Sequence, residues 1–166
     1  AFAAANTNYP IEKSAIGHFI ENVVAKHGIR RKVHIIVLDT GAKSRNKYIA
    51  KNFRDLGLDH TADRNPVDEH GHFSFCASQI VGFNQNPIGP LRYSGLPDNW
   101  WSWSGEKILN RNGSGTYGWI ANGLEHALTI ANQLKAEGHA VIISNSYGGG
   151  GFNQEITDIF KEFRAQ

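Results

Sequence analysis

The order of patterns along this chain predicts an α/β domain with a mostly parallel sheet flanked by helices. Two short runs, KVHIIVLD ending at Asp39 and HAVIISNS ending at Ser146, are rich in β-branched residues and read as strands buried on both faces. Stretches with apolar residues at helical spacing lie before, between and after them. Glycines punctuate the joins.

Each element has its own warrant. YPIEKSAIGHFIENVVAKHG places Ile11, Ala15, Ile16, Phe19, Ile20, Val23 and Val24 on one helical face, with Pro10 suited to the first turn and Gly28 to the stop. The basic run Arg30, Arg31 and Lys32 reads as a solvated entrance to the first strand. Asp39 closes that strand at its carboxyl end, the edge where open α/β sheets bind ligands. Residues 43–67 are polar and mixed, with a short helix expected over 46–56. FSFCASQIVG returns to helical spacing. Residues 83–105 read as a loop, in which Trp100, Trp101 and Trp103 would form a local minicore or a contact surface. EKILN is a candidate short strand. A long helix should run from the glycine-rich GSGTYG to Gly138. A closing helix carries Ile156, Ile159, Phe160 and Phe163 on one face. No strand follows that last helix, so the sheet is expected to be incomplete in this chain.

Composition excludes several classes. With 17 basic and 15 acidic residues the formal charge is only +2, and the basic residues are scattered, so neither nucleic acid nor an anionic membrane is an expected partner. No apolar run approaches the ~18 residues of a membrane span. The single cysteine, Cys76, rules out an internal disulfide and reads as a small buried residue. The absence of methionine is read as initiator removal or processing.

The chemistry concentrates in DEHGHFSFCASQIVG, residues 68–82. Three readings are open for its histidines. In an extended segment His70 and His72 point to one side, and with Asp68 and Glu69 nearby they would begin a zinc or manganese site. Alternatively, one histidine opens the following helix and meets Asp39. An aspartate so placed fixes the imidazole tautomer and stabilises the imidazolium during proton transfer. The third reading is a pair of solvated loop histidines.

Four segments in register, VLDTG, DEHGHFSFCASQIVG, KILNRNGSGTYGWIANGLEHA and VIISNSYGG, resemble the first four signature segments of the subtilisin-like serine proteases. The resemblance covers about residues 30–166. It implies that 1–166 is the amino-terminal part of such a catalytic domain, with 1–29 its leading helical segment and 30–166 the sheet and substrate groove. By that resemblance Asp39 orients the general base and His72, not His70, is that base. Ser114 and Gly115 would lie on a strand that pairs with an extended polypeptide substrate. Ser146, Tyr147, Gly148 and Gly149 would form the opposite wall, where glycine lets backbone approach backbone. Asn86, in NPIG, would be the side-chain ligand of a calcium loop, although the usual carboxylate partner has no match near Tyr48. No other cofactor is implied.

The chain departs from the family at Phe73, which stands where glycine usually follows the base. The added bulk is expected to crowd the histidine or narrow the cleft. Neither the family's nucleophilic G-T-S segment nor its oxyanion asparagine is present. In subtilisin, losing the nucleophile alone costs about a million-fold in turnover, so this chain alone should not be a peptidase. The resemblance therefore implies a serine-type endopeptidase completed by a carboxyl-terminal half on another chain. The alternatives are an inactive structural or peptide-binding module, and a metal-dependent hydrolase using Asp68, His70 and His72.

Overall fold

In the computed structural model the residues described are Lys26, 31–81 and 101–165. Apart from Lys26, the leading helical segment lies outside them, as do the loop through Trp100 and the calcium-loop residue Asn86.

The first strand, β1 (Val33–Asp39), sits at the centre of a three-stranded parallel sheet of order β2-β1-β3. Its side chains alternate between two cores, as strand geometry requires. Ile36 and Leu38 face one apolar cluster, and Ile35 and Val37 face the other. Arg31 and Lys32 are exposed just ahead of it, as expected of a solvated entrance. The third strand, β3 (Ala140–Asn145), pairs with β1 from Val33↔Ala140 to Leu38↔Asn145.

The remaining strand corrects the sequence reading. Trp101 and Trp103 are not loop residues: β2 (Trp101–Lys107) pairs in parallel with β1 from Val33↔Trp101 to Asp39↔Lys107, absorbing the start of the expected EKILN strand. The segment WSWSGEK hides its strand because serines alternate with the indoles. Ser102 and Ser104 turn toward β1 and hydrogen-bond the buried His34 ring, at 2.7 Å to Nδ1 and 2.9 Å to Nε2. The indoles occupy the opposite face and join the core.

The helix expected over 46–56 is also corrected. Only Lys47–Ile49 is helical, one 3-10 turn capped by the Asn46 side chain. Asn52 then adopts a left-handed φ of 56°, which asparagine tolerates and which ends any helix. From there the chain runs along the outer edge of β2. Trp103 N donates to Asn52 O, Arg54 N to Trp103 O, Lys107 N to Leu58 O and His60 N to Lys107 O. This irregular border covers an edge that would otherwise present unpaired main-chain groups.

Three helices flank the sheet: α1 (His72–Val81), α2 (Tyr117–Ala136) and α3 (Gln154–Ala165). Helix α1 packs Phe73, Ala77 and Val81 with Ile35, Val37 and Trp103. Helices α2 and α3 cover the other face, with Leu124, Ala127, Ile130, Leu134 and Ile159 against Ile36 and Leu38, and with Ile156, Phe160 and Phe163 packed alongside. Among the described residues no helix is long and apolar enough to cross a membrane.

Candidate active site

Strand parity places the first functional side chain. Residues 35, 37 and 39 share one face of β1, the face that α1 covers. Asp39, wholly buried at the carboxyl end of β1, therefore points at the amino terminus of α1. The first residue of that helix is His72, and its Nδ1 lies 2.8 and 2.9 Å from the two Asp39 carboxylate oxygens. A carboxylate only accepts, so Nδ1 carries the proton and Nε2 is left with a lone pair. The Thr40 amide also donates to Asp39 Oδ1, at 2.6 Å.

The start of α1 is locked to the end of β1 by two further residues. Thr40 Oγ1 accepts from the Phe73 amide at 3.0 Å and donates to Asp68 Oδ1 at 2.9 Å. Asp68 in turn accepts from the Gly71 amide, the Ser74 amide and the Ser74 hydroxyl, at 2.8, 2.9 and 2.6 Å. Its carboxylate thus satisfies helix-start donors and opposes the positive end of the helix dipole. Burial pushes the Asp68 pKa up, but the hydrogen bonds from Ser74, Gly71 and Thr40 outweigh it and hold the carboxyl below the ordinary aspartate range. With its oxygens so engaged, Asp68 does not converge with His70 and His72 into a metal site. Among the described residues the clusters with metal-ligating geometry are Asp39–His72–Cys76 and His60–Glu106–His126.

A groove of about 760 Å³ opens in front of His72. Ser114, Gly115, Ser146, Tyr147, Gly148 and Gly149 all line it, and so does His70, which is a groove residue as well as a loop residue. The wall containing Ser114 and Gly115 is not the expected strand. Asn110 closes it into a turn: the Asn110 amide donates to Ser114 O at 2.8 Å, and Asn110 Oδ1 accepts the Ser114 amide at 3.1 Å. Gly113 completes the turn with a φ of 74°. On the opposite wall Gly148 and Gly149 are exposed, and a Cβ on either would meet nothing within 4 Å. Tyr147 has a buried hydroxyl without a hydrogen-bond partner, and burial pushes its pKa up to about 12.

Two neighbours of His72 depart from the sequence reading. Phe73 does not crowd the base. Its ring is wholly buried, 5.9 Å between centroids from Trp103, and it lies over Gly105 of β2. A Cβ on Gly105 would meet that ring at 2.4 and 2.5 Å, so glycine on the strand is what lets the ring seat there. Cys76 is half-buried, with Sγ 3.7 Å from His72 Nε2 and 3.8 Å from Nδ1. Near-equal distances put the sulfur off either nitrogen's lone-pair axis. Burial raises the Cys76 pKa, a Ser146 hydrogen bond opposes it and the Asp39 charge adds to it. The net rise keeps the thiol protonated and poorly nucleophilic.

No serine or threonine hydroxyl among the described residues hydrogen-bonds His72 Nε2. Thr40, whose hydroxyl joins strand to helix, is a site residue not foreseen from the sequence; its place beside Asp39 was the available signal.

No protein-family model matches the chain, and no curated protein does. Among solved structures the chain is similar to one described as the crystal structure of a cold adapted subtilisin-like serine proteinase, at 16% sequence identity and a TM-score of 0.49. The match covers 79% of this chain and 43% of that one, so this chain spans less than half the length of that protein.

Proposed function

We propose that this chain supplies the orienting aspartate, Asp39, and the general base, His72, of a subtilisin-like serine endopeptidase site. The nucleophilic serine and the oxyanion donor come from a carboxyl-terminal half on another chain. The observation that carries the reading is the Asp39–His72 pair, with Nδ1 bonded to a buried carboxylate at 2.8 Å and the ring lining a groove. Such a ring accepts a proton from an attacking hydroxyl and returns it to the leaving amine. Gly115, Gly148 and Gly149 offer exposed main chain to an extended polypeptide. No cofactor is needed for this chemistry; a calcium ion at Asn86 would be structural. Exposed Ile142 on β3 and Phe152 ahead of α3 offer apolar surface to the completing chain.

The test is labelling with a fluorophosphonate probe, using the chain isolated together with whatever polypeptide accompanies it. Labelling of a serine on the companion, abolished by His72→Ala here, is expected. A homogeneous folded chain with no companion and no labelling contradicts the reading. That outcome would favour a peptide-binding module without catalysis, for which the lack of a hydroxyl at His72 Nε2 among the described residues speaks.

A further inference from the structure

On the face of the sheet away from Asp39, a second polar cluster is built into the core. Glu106, paired in register with Leu38, has its side chain wholly buried on the α2 side of β2. Its Oε2 lies 2.9 Å from His60 Nε2, and its Oε1 lies 2.8 Å from His126 Nδ1. The Leu58 amide donates to Oε2 at 3.0 Å. His60 comes from the segment bordering β2, and His126 from α2. A carboxylate buried in this way is costly unless something compensates its charge.

We propose that His60, Glu106 and His126 bind one divalent transition-metal ion of the zinc class. The three ligand atoms lie within 4.8 Å of one another, one from each residue. Zinc bonds to imidazole nitrogen and carboxylate oxygen run about 2.0–2.2 Å, so ligand atoms around one tetrahedral ion stand about 3.4 Å apart, and this trio closes onto the ion by turning the two rings. Two imidazoles and one carboxylate form a borderline nitrogen and oxygen set, which suits zinc and its neighbours rather than calcium or magnesium. His60 is 11% exposed and His126 is 28% exposed, so the open coordination position lies on the His126 side, where water reaches it. Gly123, one turn before His126, makes room for Ile108, whose Cγ2 a Cβ there would meet at 2.2 Å; the His60 ring packs at ordinary contact distance beside it, its Cδ2 3.4 Å from that position. In the metal-free chain each imidazole donates an N–H to Glu106. On binding, each ring shifts that proton to its other nitrogen and turns a lone pair to the ion. The ion then ties the border segment, the end of β2 and α2 together behind Asp39. This site is independent of the peptidase reading.

The test uses the full chain freed of metal by a chelator and titrated with zinc alone by calorimetry, then with cobalt(II) followed by visible absorption. One ion per chain is expected, with cobalt ligand-field bands and no thiolate charge-transfer band in the near ultraviolet. His126→Gln and His60→Gln should each weaken binding at least about tenfold, while His72→Ala and Cys76→Ser leave it unchanged. If the more buried His60 variant fails to fold, as judged by circular dichroism, the more exposed His126 variant decides. X-ray absorption on the zinc-loaded wild-type chain should show only nitrogen and oxygen ligands. Failure of the wild-type chain to bind stoichiometrically would overturn the proposal. So would a sulfur ligand, or binding kept in His126→Gln and lost in His72→Ala.

Discussion

The packing of Phe73 over Gly105 yields a coupled prediction. Phe73→Ala removes a wholly buried ring, and the lost burial plus the cavity should cost about 3–5 kcal/mol. Gly105→Ala adds a methyl whose carbon would start at 2.4 and 2.5 Å from two ring carbons, and 3.0 Å from Ala42 O. Unstrained carbon contacts begin near 3.5 Å, so the ring must retreat by about 1 Å, at an overpacking cost of roughly 1–3 kcal/mol. In the double variant the ring is gone and the methyl fills part of the space it left. Only the contact with Ala42 O remains strained. The double variant should therefore be more stable than the sum of the single losses by about 1–3 kcal/mol. Denaturant unfolding of the four proteins measures this directly. Additive losses, within about 0.5 kcal/mol, would mean that the ring does not lie over Gly105. The crowding expected from the sequence at His72 would then stand again.

Two further predictions concern charge. Burial, aided by Arg54 and His139, lowers the pKa of His34 from 6.5 to about 4, so the ring stays neutral in the fold between those values while the unfolded chain protonates. The stability it confers is complete above about pH 6.5 and is lost as pH falls toward 4, by roughly 3 kcal/mol at most. His34→Gln should flatten that part of the pH–stability curve; an unchanged slope would refute the assignment. Asp68→Ala removes the acceptor of four hydrogen bonds where β1 meets α1 and should cost about 1–2 kcal/mol. The depressed Asp68 pKa gives stability that is present above the ordinary aspartate range and lost as pH falls through the lower, folded value. The variant's unfolding free energy should accordingly fall less steeply with falling pH than that of the wild-type chain, as denaturant unfolding at a series of pH values would show.

The sequence made legible those elements whose burial is apolar and periodic. Strands β1 and β3 and helices α1, α2 and α3 all announce themselves by spacing. Strand β2 did not, because half its inward residues are polar and are satisfied by a partner 70 positions away: Ser104 bonds His34. The border segment was misread because a helical spacing of residues was overridden by Asn52 and by main-chain pairing to β2. At the site, Asp39 and His72 were found from motif spacing, and strand parity now explains why they meet. The turn at Asn110 could not be foreseen, since it depends on a side chain capping its own loop. His60, Glu106 and His126 carry no local pattern. Only the folding of a strand, a border and a helix onto one spot brings them together.

The orientation of the His72 ring is the point on which the functional reading turns, and nitrogen-15 NMR of the imidazole reports it. In the folded wild-type chain at neutral pH, His72 should be the Nδ1–H tautomer, with a downfield, slowly exchanging ring proton that disappears in Asp39→Ala and persists in Cys76→Ser. A ring protonated on Nε2, or a ring proton indifferent to Asp39, would contradict the pairing and remove the general base from the groove.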